Sequence, residues 1–123
     1  SDEPAADTGY KILRTQVEQR LVAKGWNAIA VTSPGSNAGK TLTAINLSVA
    51  LAKEMHRTVL LVDLDFRNPS VHRRFECDIE HGLIDVLLHD RPLSEVLINP
   101  GIERLVLLPA GKSEVINSSE LLA

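Results

Sequence analysis

A run of small residues followed by a lysine and a threonine is the part of this sequence best suited to chemistry. From Pro34 to Thr41 it consists of Pro-Gly-Ser-Asn-Ala-Gly-Lys-Thr. Small residues let the main chain curl around an anion, so that several backbone N–H groups converge on its oxygens. The Lys40 ammonium could then reach the β and γ phosphates, and the Thr41 hydroxyl could hold Mg²⁺. The segment therefore predicts a binding site for a nucleoside triphosphate.

The strict form of this pattern has glycine five positions before Gly39, where this chain has Pro34. Proline gives up one N–H and fixes φ, so Gly35 would have to supply the flexibility one residue later. The alternative interpretation is a Gly-Lys-Thr that only begins a helix. A strand before the segment and a helix after it would favour the phosphate site.

Two carboxylates form a second group with chemical potential. Asp63 and Asp65 follow an apolar run directly, and Arg67 and Pro69 complete the pattern Asp-x-Asp-x-Arg-x-Pro. In parallel α/β sheets ligands bind beyond the carboxyl ends of the strands, so these acids should share an edge with the phosphate segment. There they could hold Mg²⁺ or accept a proton from an attacking hydroxyl. The alternative is a solvated acidic turn that ends the strand.

The elements that must position these residues follow from hydrophobic patterning. Short apolar runs predict strands over 28–32, 58–62 and 105–108. A mostly apolar helix, expected to be well buried, is predicted from Gly39 to about Met55. An earlier helical stripe contains Tyr10, Leu13, Val17 and Leu21 and stops at Gly25, and weaker helical signals cover 82–89 and 93–98. Strands alternating with helices predict a parallel α/β sheet.

The charge balance argues against one class of protein. The 123 residues include 13 Lys and Arg against 16 Asp and Glu, which gives a net charge of −3. Without a basic surplus, a protein bound to nucleic acid is not expected. The lone Cys77 fits a reducing compartment, and residues 1–8 are expected to form a flexible leader ahead of a single domain over 9–123.

Several segments together resemble the bacterial tyrosine kinases (BY-kinases), which are P-loop kinases associated with capsule and exopolysaccharide export. The likeness is closest to the autokinases of exosortase-linked systems. The similar segments are 31–33, the phosphate segment, 43–47, Val62-Asp-Leu-Asp-Phe-Arg-Asn-Pro69, Gly82-Leu-Ile-Asp-Val-Leu87, Leu108-Pro-Ala-Gly111 and Ser119-Glu-Leu-Leu122.

This resemblance implies a P-loop NTPase-like parallel sheet flanked by helices, which binds ATP or ADP with Mg²⁺. Lys40, Asp63 and Asp65 would be catalytic, and Thr41, Asp63 and Asp65 would hold the metal, with Asp63 the candidate for activating the acceptor tyrosine. The implied nucleotide-binding residues are Gly35, Ser36, Asn37, Ala38, Gly39, Lys40, Thr41 and Leu42. No apolar strand ending in a Walker B aspartate follows residue 108, so we expect an incomplete domain, the N-terminal part of a longer one.

The resemblance also implies partners and a location. A BY-kinase would act in the cytoplasm at the inner face of the membrane, with an inner-membrane polysaccharide co-polymerase or export protein, and would form a homo-oligomer. Two alternatives stay open. A Min/Par-type ATPase is less favoured, because those proteins carry a signature lysine where this chain has Gly35. A non-catalytic, nucleotide-binding adaptor of the export complex is the other.

Overall fold

The computed structural model describes residues 15–19, 23–32 and 38–112, with Ala38 described by its backbone only. Within these residues, three parallel strands form one sheet in the order β1–β2–β3. The strands are β1 (Ala28–Thr32), β2 (Val59–Asp63) and β3 (Leu105–Leu108). The main helix, α1 (Ala38–Lys53), links β1 to β2. Two short helices, α2 (Val71–Arg74) and α3 (Leu83–His89), and a 3₁₀ turn (Leu93–Glu95) lie between β2 and β3.

Strand β2 is buried at every position because both faces of the sheet are covered. On one face Val59 and Leu61 pack in a cluster with Ile45 of α1 and Leu107 of β3. On the other face the alternate residues of β2 pack with Leu83 of α3 and with Leu93 and Val96. The unbroken apolar sequence of β2 is thus explained by its position as the central strand of a parallel sheet, where both faces are buried. The predicted α/β fold with a parallel sheet and flanking helices is confirmed.

The predicted burial of α1 is wrong for part of its surface. Ile45, Ser48 and Ala52 are buried, whereas Leu42 and Leu47 are 43% and 54% exposed. Spacings of three and four residues place the buried side chains on one stripe that faces the sheet. No element of the described residues covers the opposite side of the helix.

The remaining predictions agree in part. Residues 15–19 and 23–24 are helical, and Gly25 has the left-handed φ of 69° that ends a helix. Tyr10, Leu13, Leu21 and the leader over 1–8 lie outside the described residues. The helix expected over 93–98 is wrong beyond its first turn, because Ile98 pairs with Leu107 in an antiparallel bridge. No helix of the described part is long and apolar enough to cross a membrane.

Candidate functional site

The first turn of α1 carries the predicted lysine and threonine. Lys40 is exposed and Thr41 is half-buried, and the Thr43 hydroxyl donates to the Gly39 carbonyl at 2.8 Å. The N–H groups of a helix's first turn have no partner within the helix, so this end of α1 can receive an anion. Pro34, Gly35, Ser36 and Asn37 lie outside the described residues, as does the side chain of Ala38.

The carboxyl ends of β1 and β2 lie side by side. The strand register pairs Thr32 with Asp63, and the Thr32 hydroxyl donates to Oδ1 of Asp63 at 3.2 Å. The Leu64 amide also donates to the Thr32 carbonyl at 2.8 Å. Because Thr32 lies two residues before Pro34 in the sequence, Asp63 lies beside the end of the strand from which the chain continues into the phosphate segment. Asp63 therefore lies at the carboxyl edge of the sheet, beside the end of β1. That the phosphate segment shares this edge remains a prediction.

The Asp63 carboxylate is buried, with 1% of the residue exposed. Its Oδ1 also accepts the Asp65 amide at 2.9 Å, and its Oδ2 accepts the amides of Ser70 and Val71 at 3.2 and 3.3 Å. A buried carboxylate is costly unless it is hydrogen-bonded, and here the chain supplies those bonds. The polar stretch after β2 therefore folds around Asp63, and α2 begins at its carboxylate.

Asp65 has a different environment. It is half-buried, and its Oδ1 accepts the Asn68 amide at 3.1 Å. Among the described residues nothing donates to its Oδ2. Asp65 therefore keeps acceptor capacity for a ligand, whereas a ligand of Asp63 would have to replace one of its four hydrogen bonds.

The tertiary partners of Asp63 were not recognised in the sequence. Thr32, Ser70 and Val71 carried no predicted role at the site. Only Thr32 could have been found from the sequence. Two parallel strands of five residues that lie side by side in full register have their last residues next to each other. The amides of Ser70 and Val71 could not be found this way, since α2 is too short to leave a helical pattern.

His72, on α2, lies close to this edge. Its Nδ1 atom is buried without a hydrogen-bond partner among the described residues. Burial lowers the pKa of His72 below its ordinary 6.5, and the neighbouring Arg73 charge lowers it further, against the opposing effect of Asp63 and Asp78. The imidazole next to the acidic loop is therefore held towards its neutral form.

Comparisons with known proteins agree with this geometry. Residues 29–107, more than half of the chain, match the CobQ/CobB/MinD/ParA nucleotide binding domain. The chain is 32% identical over 120 residues to the putative tyrosine-protein kinase EpsB of Ralstonia nicotianae, an alignment that covers 94% of this chain and 16% of that protein.

Two solved structures share the fold. The kinase domain of Escherichia coli tyrosine kinase ETK is 27% identical with a TM-score of 0.64, covering 90% of this chain and 43% of that one. The septum site-determining protein MinD of Pyrococcus horikoshii, complexed with Mg-ADP, is 30% identical with a TM-score of 0.60, covering 77% and 37%. The chain thus spans less than half of each of these proteins. It belongs to the CobQ/CobB/MinD/ParA nucleotide-binding family, in which it is similar to tyrosine-protein kinases.

Proposed function

We propose that this chain is the Mg²⁺·ATP-binding part of a protein-tyrosine kinase that phosphorylates itself and regulates exopolysaccharide or capsule biosynthesis and export. The observation that carries the proposal is the contact between Thr32 and Asp63. This contact supports the proposal because the acidic loop lies beside the end of β1, and the chain continues from β1 towards Lys40. The similarity to proteins named tyrosine-protein kinases supports a kinase over other nucleotide-binding proteins.

The proposed site has a phosphate side and an acidic side. Backbone groups over residues 35–42 would surround the phosphates, and the Lys40 ammonium would neutralise their charge. On the acidic side, the Thr41 hydroxyl and the Asp63 and Asp65 carboxylates are hard oxygen ligands of the kind that Mg²⁺ prefers. The Oδ2 atom of Asp65, to which none of the described residues donates, fits this assignment best.

Phosphoryl transfer on such a scaffold depends mainly on positioning and on charge neutralisation. Bound Mg²⁺ would neutralise charge that develops on the phosphate oxygens. The chain's own contribution would be to orient the γ-phosphoryl group through Lys40 and to hold the acids at a fixed place on the sheet edge. The acceptor would be a tyrosine hydroxyl, whose proton an acidic side chain would accept.

The proposed partners follow from the similarity to EpsB and ETK. A kinase of this kind would work in the cytoplasm, at the inner face of the membrane, through an inner-membrane polysaccharide co-polymerase or export protein. It would assemble as a homo-oligomer, and nucleic acid is not a proposed partner.

A phosphotyrosine immunoblot after incubation with Mg²⁺·ATP tests the proposed activity. The full-length gene product should be used together with this chain, and the Lys40→Met variant of each serves as the inactive control. Phosphotyrosine that appears in the full-length protein and disappears with Lys40→Met supports the kinase. ATP binding without phosphotyrosine would contradict it and support a nucleotide-binding adaptor.

A Min/Par-type ATPase is the second candidate, favoured by the structural similarity to MinD complexed with Mg-ADP. The glycine at position 35, where those ATPases carry a signature lysine, argues against it. ATP hydrolysis stimulated by DNA or lipid vesicles, in the absence of phosphotyrosine, would establish this candidate instead.

A further inference from the structure

The described residues form a cavity of about 540 Å³ beside α2, which the proposed phosphate and metal groups do not line. Ligand-binding clefts in proteins have volumes of about 300–1,000 Å³, so this cavity is large enough for a side chain of a second polypeptide. Four of its lining residues are buried or half-buried, and we call them the floor: Pro69, His72, Cys77 and Ile79.

The cavity lies next to the acidic loop between β2 and α2. Pro69 belongs to that loop, and the amides of the next two residues, Ser70 and Val71, donate to the Asp63 carboxylate. His72 follows on α2 and lies close enough to Asp63 for that charge to act on its pKa. The floor is therefore continuous with the backbone that holds Asp63. A polypeptide seated in the cavity lies beside the proposed transfer site.

The floor combines apolar surface with one unpaired imidazole. Pro69 and Ile79 supply apolar atoms, and the Sγ atom of Cys77 lies 3.6 Å from the Phe75 carbonyl oxygen. The His72 ring has no hydrogen-bond partner among the described residues, and its Nδ1 atom is buried. Burial lowers the pKa of His72, so the ring is held towards its neutral form, with one donor and one acceptor nitrogen.

The rim of the cavity has balanced charge. The exposed lining residues are Arg73, Asp78, Glu80 and Lys112, which carry two positive and two negative charges. The Nζ atom of Lys112 also lies 3.4 Å from Oε2 of Glu80, so these two charges largely neutralise each other. A strongly charged ligand gains little at such a rim, which favours an uncharged side chain.

A tyrosyl side chain matches both parts of this cavity. Its ring is a flat apolar surface for Pro69 and Ile79, and its hydroxyl forms the polar tip. A phenol hydroxyl both donates and accepts a hydrogen bond, so it can pair with a nitrogen of neutral His72 in either tautomer. The indole of tryptophan only donates, and phenylalanine has no polar group, so each satisfies fewer of the groups that the floor offers.

From these contacts we propose that the cavity is a docking subsite for the polypeptide substrate, and that it takes a tyrosyl side chain whose hydroxyl pairs with His72. The tyrosine held here is not the one that receives the phosphoryl group, because neither Asp63 nor Asp65 lines the cavity. His72 is therefore a residue that determines specificity for the substrate and takes no part in the transfer. The role in catalysis rests on the proposed function, whereas binding of a tyrosyl side chain needs no nucleotide.

The first test is an NMR titration of the isotope-labelled, nucleotide-free chain with N-acetyl-tyrosinamide. Amide signals of residues 72–80 and of Lys112 should shift and saturate at millimolar concentrations, as expected for a single anchoring side chain. N-acetyl-phenylalaninamide lacks the hydroxyl and leaves the imidazole unpaired, so it should bind about tenfold more weakly. Absent shifts, shifts confined to other residues, or equal affinity for the two probes would overturn the subsite.

The variant His72→Phe keeps a ring at this position and removes both nitrogens. It should bind the two probes with equal affinity, whereas His89→Phe, at an exposed histidine outside the cavity, should keep the tenfold preference. Persistence of that preference in His72→Phe would remove His72 from the subsite. If His72→Phe does not fold, Ile79→Ala tests the same floor. It should weaken both probes about fivefold and keep the preference, and unchanged affinity would contradict the proposal.

Kinetics of the full-length protein separate docking from a structural role. With a peptide substrate that contains two tyrosines, His72→Phe should raise KM for the peptide about tenfold and leave kcat unchanged. A lower kcat with an unchanged KM would show that His72 only supports the structure of the site, which would overturn its role in docking.

The proposed function and the subsite can fail separately. If no phosphotyrosine forms, the proposed function fails, while the NMR titration still decides whether the cavity takes a tyrosyl side chain. If phosphotyrosine forms but the tyrosyl probe does not bind in the cavity, the function stands and the subsite is overturned.

Discussion

Gly82 and Gly111 lie in backbone contact, and a Cβ atom added to Gly82 would overlap the amide nitrogen of Gly111. The contact joins the start of α3 to the segment after β3. The Leu83 amide donates to the Pro109 carbonyl at 2.8 Å, and the Ile84 amide donates to the Ala110 carbonyl at 3.0 Å. The two glycine-containing motifs of the resemblance, 82–87 and 108–111, are therefore in contact. Glycine is required at position 82, because a side chain there would prevent the two backbones from approaching this closely.

Replacing Gly82 with alanine should destabilise the fold. The added methyl group meets backbone atoms, which cannot rotate away, so we expect a loss of about 3 kcal/mol in the free energy of unfolding. Urea denaturation measures it. The matched control is Gly101→Ala, where nothing lies within 4 Å of the added atom and only the left-handed φ of 91° opposes it. That control should lose about 1–2 kcal/mol, and equal losses would contradict the crowding argument.

The sequence was sufficient to predict the strands, because their burial follows from the local pattern of apolar residues. The run 28–32 is β1 without adjustment, and the strand expected over 58–62 appears one residue later, as Val59–Asp63. That shift matters, because it makes Asp63 the last residue of the strand instead of the first of a loop. Position in the ladder, opposite Thr32, is what gives its carboxylate a buried environment.

Features held by tertiary hydrogen bonds could not be predicted from pattern. Helix α2 has four residues, and its start is fixed by a carboxylate eight positions earlier. The segment 93–98 has helical spacing, but only its first turn is helical, because Ile98 pairs with Leu107 in an antiparallel bridge. Propensity over short windows is a weak signal that such contacts override. The predicted roles of Lys40, Asp63 and Asp65 remain predictions, and the Lys40 and Asp65 variants below test two of them.

Replacing Lys40 with methionine should strongly weaken Mg²⁺·ATP binding and leave the fold intact. The ammonium would neutralise phosphate charge, and its loss should weaken ATP binding by at least about tenfold. Because Lys40 is exposed, the circular-dichroism spectrum and the melting temperature should not change. Lys53→Met, an exposed lysine in the last turn of the same helix, is the control and should bind ATP normally. Unchanged calorimetric affinity in Lys40→Met would rule out the proposed phosphate site.

Replacing Asp65 with asparagine should weaken the response to Mg²⁺ without unfolding the loop. Asparagine keeps an oxygen that can accept the Asn68 amide, so only the negative charge is lost. We expect the Mg²⁺ concentration for half-maximal ATP binding to rise about tenfold, as for one lost charge interaction near a protein surface. Asp78→Asn, at an exposed acid outside the loop, should not change it. A wild-type Mg²⁺ titration for Asp65→Asn would exclude this carboxylate from the metal site.

Acid should weaken the start of α3 through Asp85. Burial alone would raise the pKa of this carboxyl, but the bond from the Gly82 amide, at 2.8 Å, and the nearby His89 and His81 outweigh burial and lower the pKa below its ordinary 3.8. The unfolded chain therefore takes up the proton first as the pH falls. The stability that Asp85 contributes is fully present above pH 3.8 and is lost as the pH falls through the lower, folded-state pKa.

Urea denaturation at pH 7 and pH 3 measures this effect. Asp85→Asn should cost about 1 kcal/mol at pH 7, because a neutral amide replaces a charged capping group, and should lose less stability than the wild type between the two pH values. Glu103→Gln, whose side chain is 85% exposed in the wild type, is the control and should follow the wild-type pH dependence. If Asp85→Asn loses as much stability as the wild type on acidification, the acid sensitivity arises elsewhere and the charge on Asp85 does not stabilise the junction between α3 and Gly111.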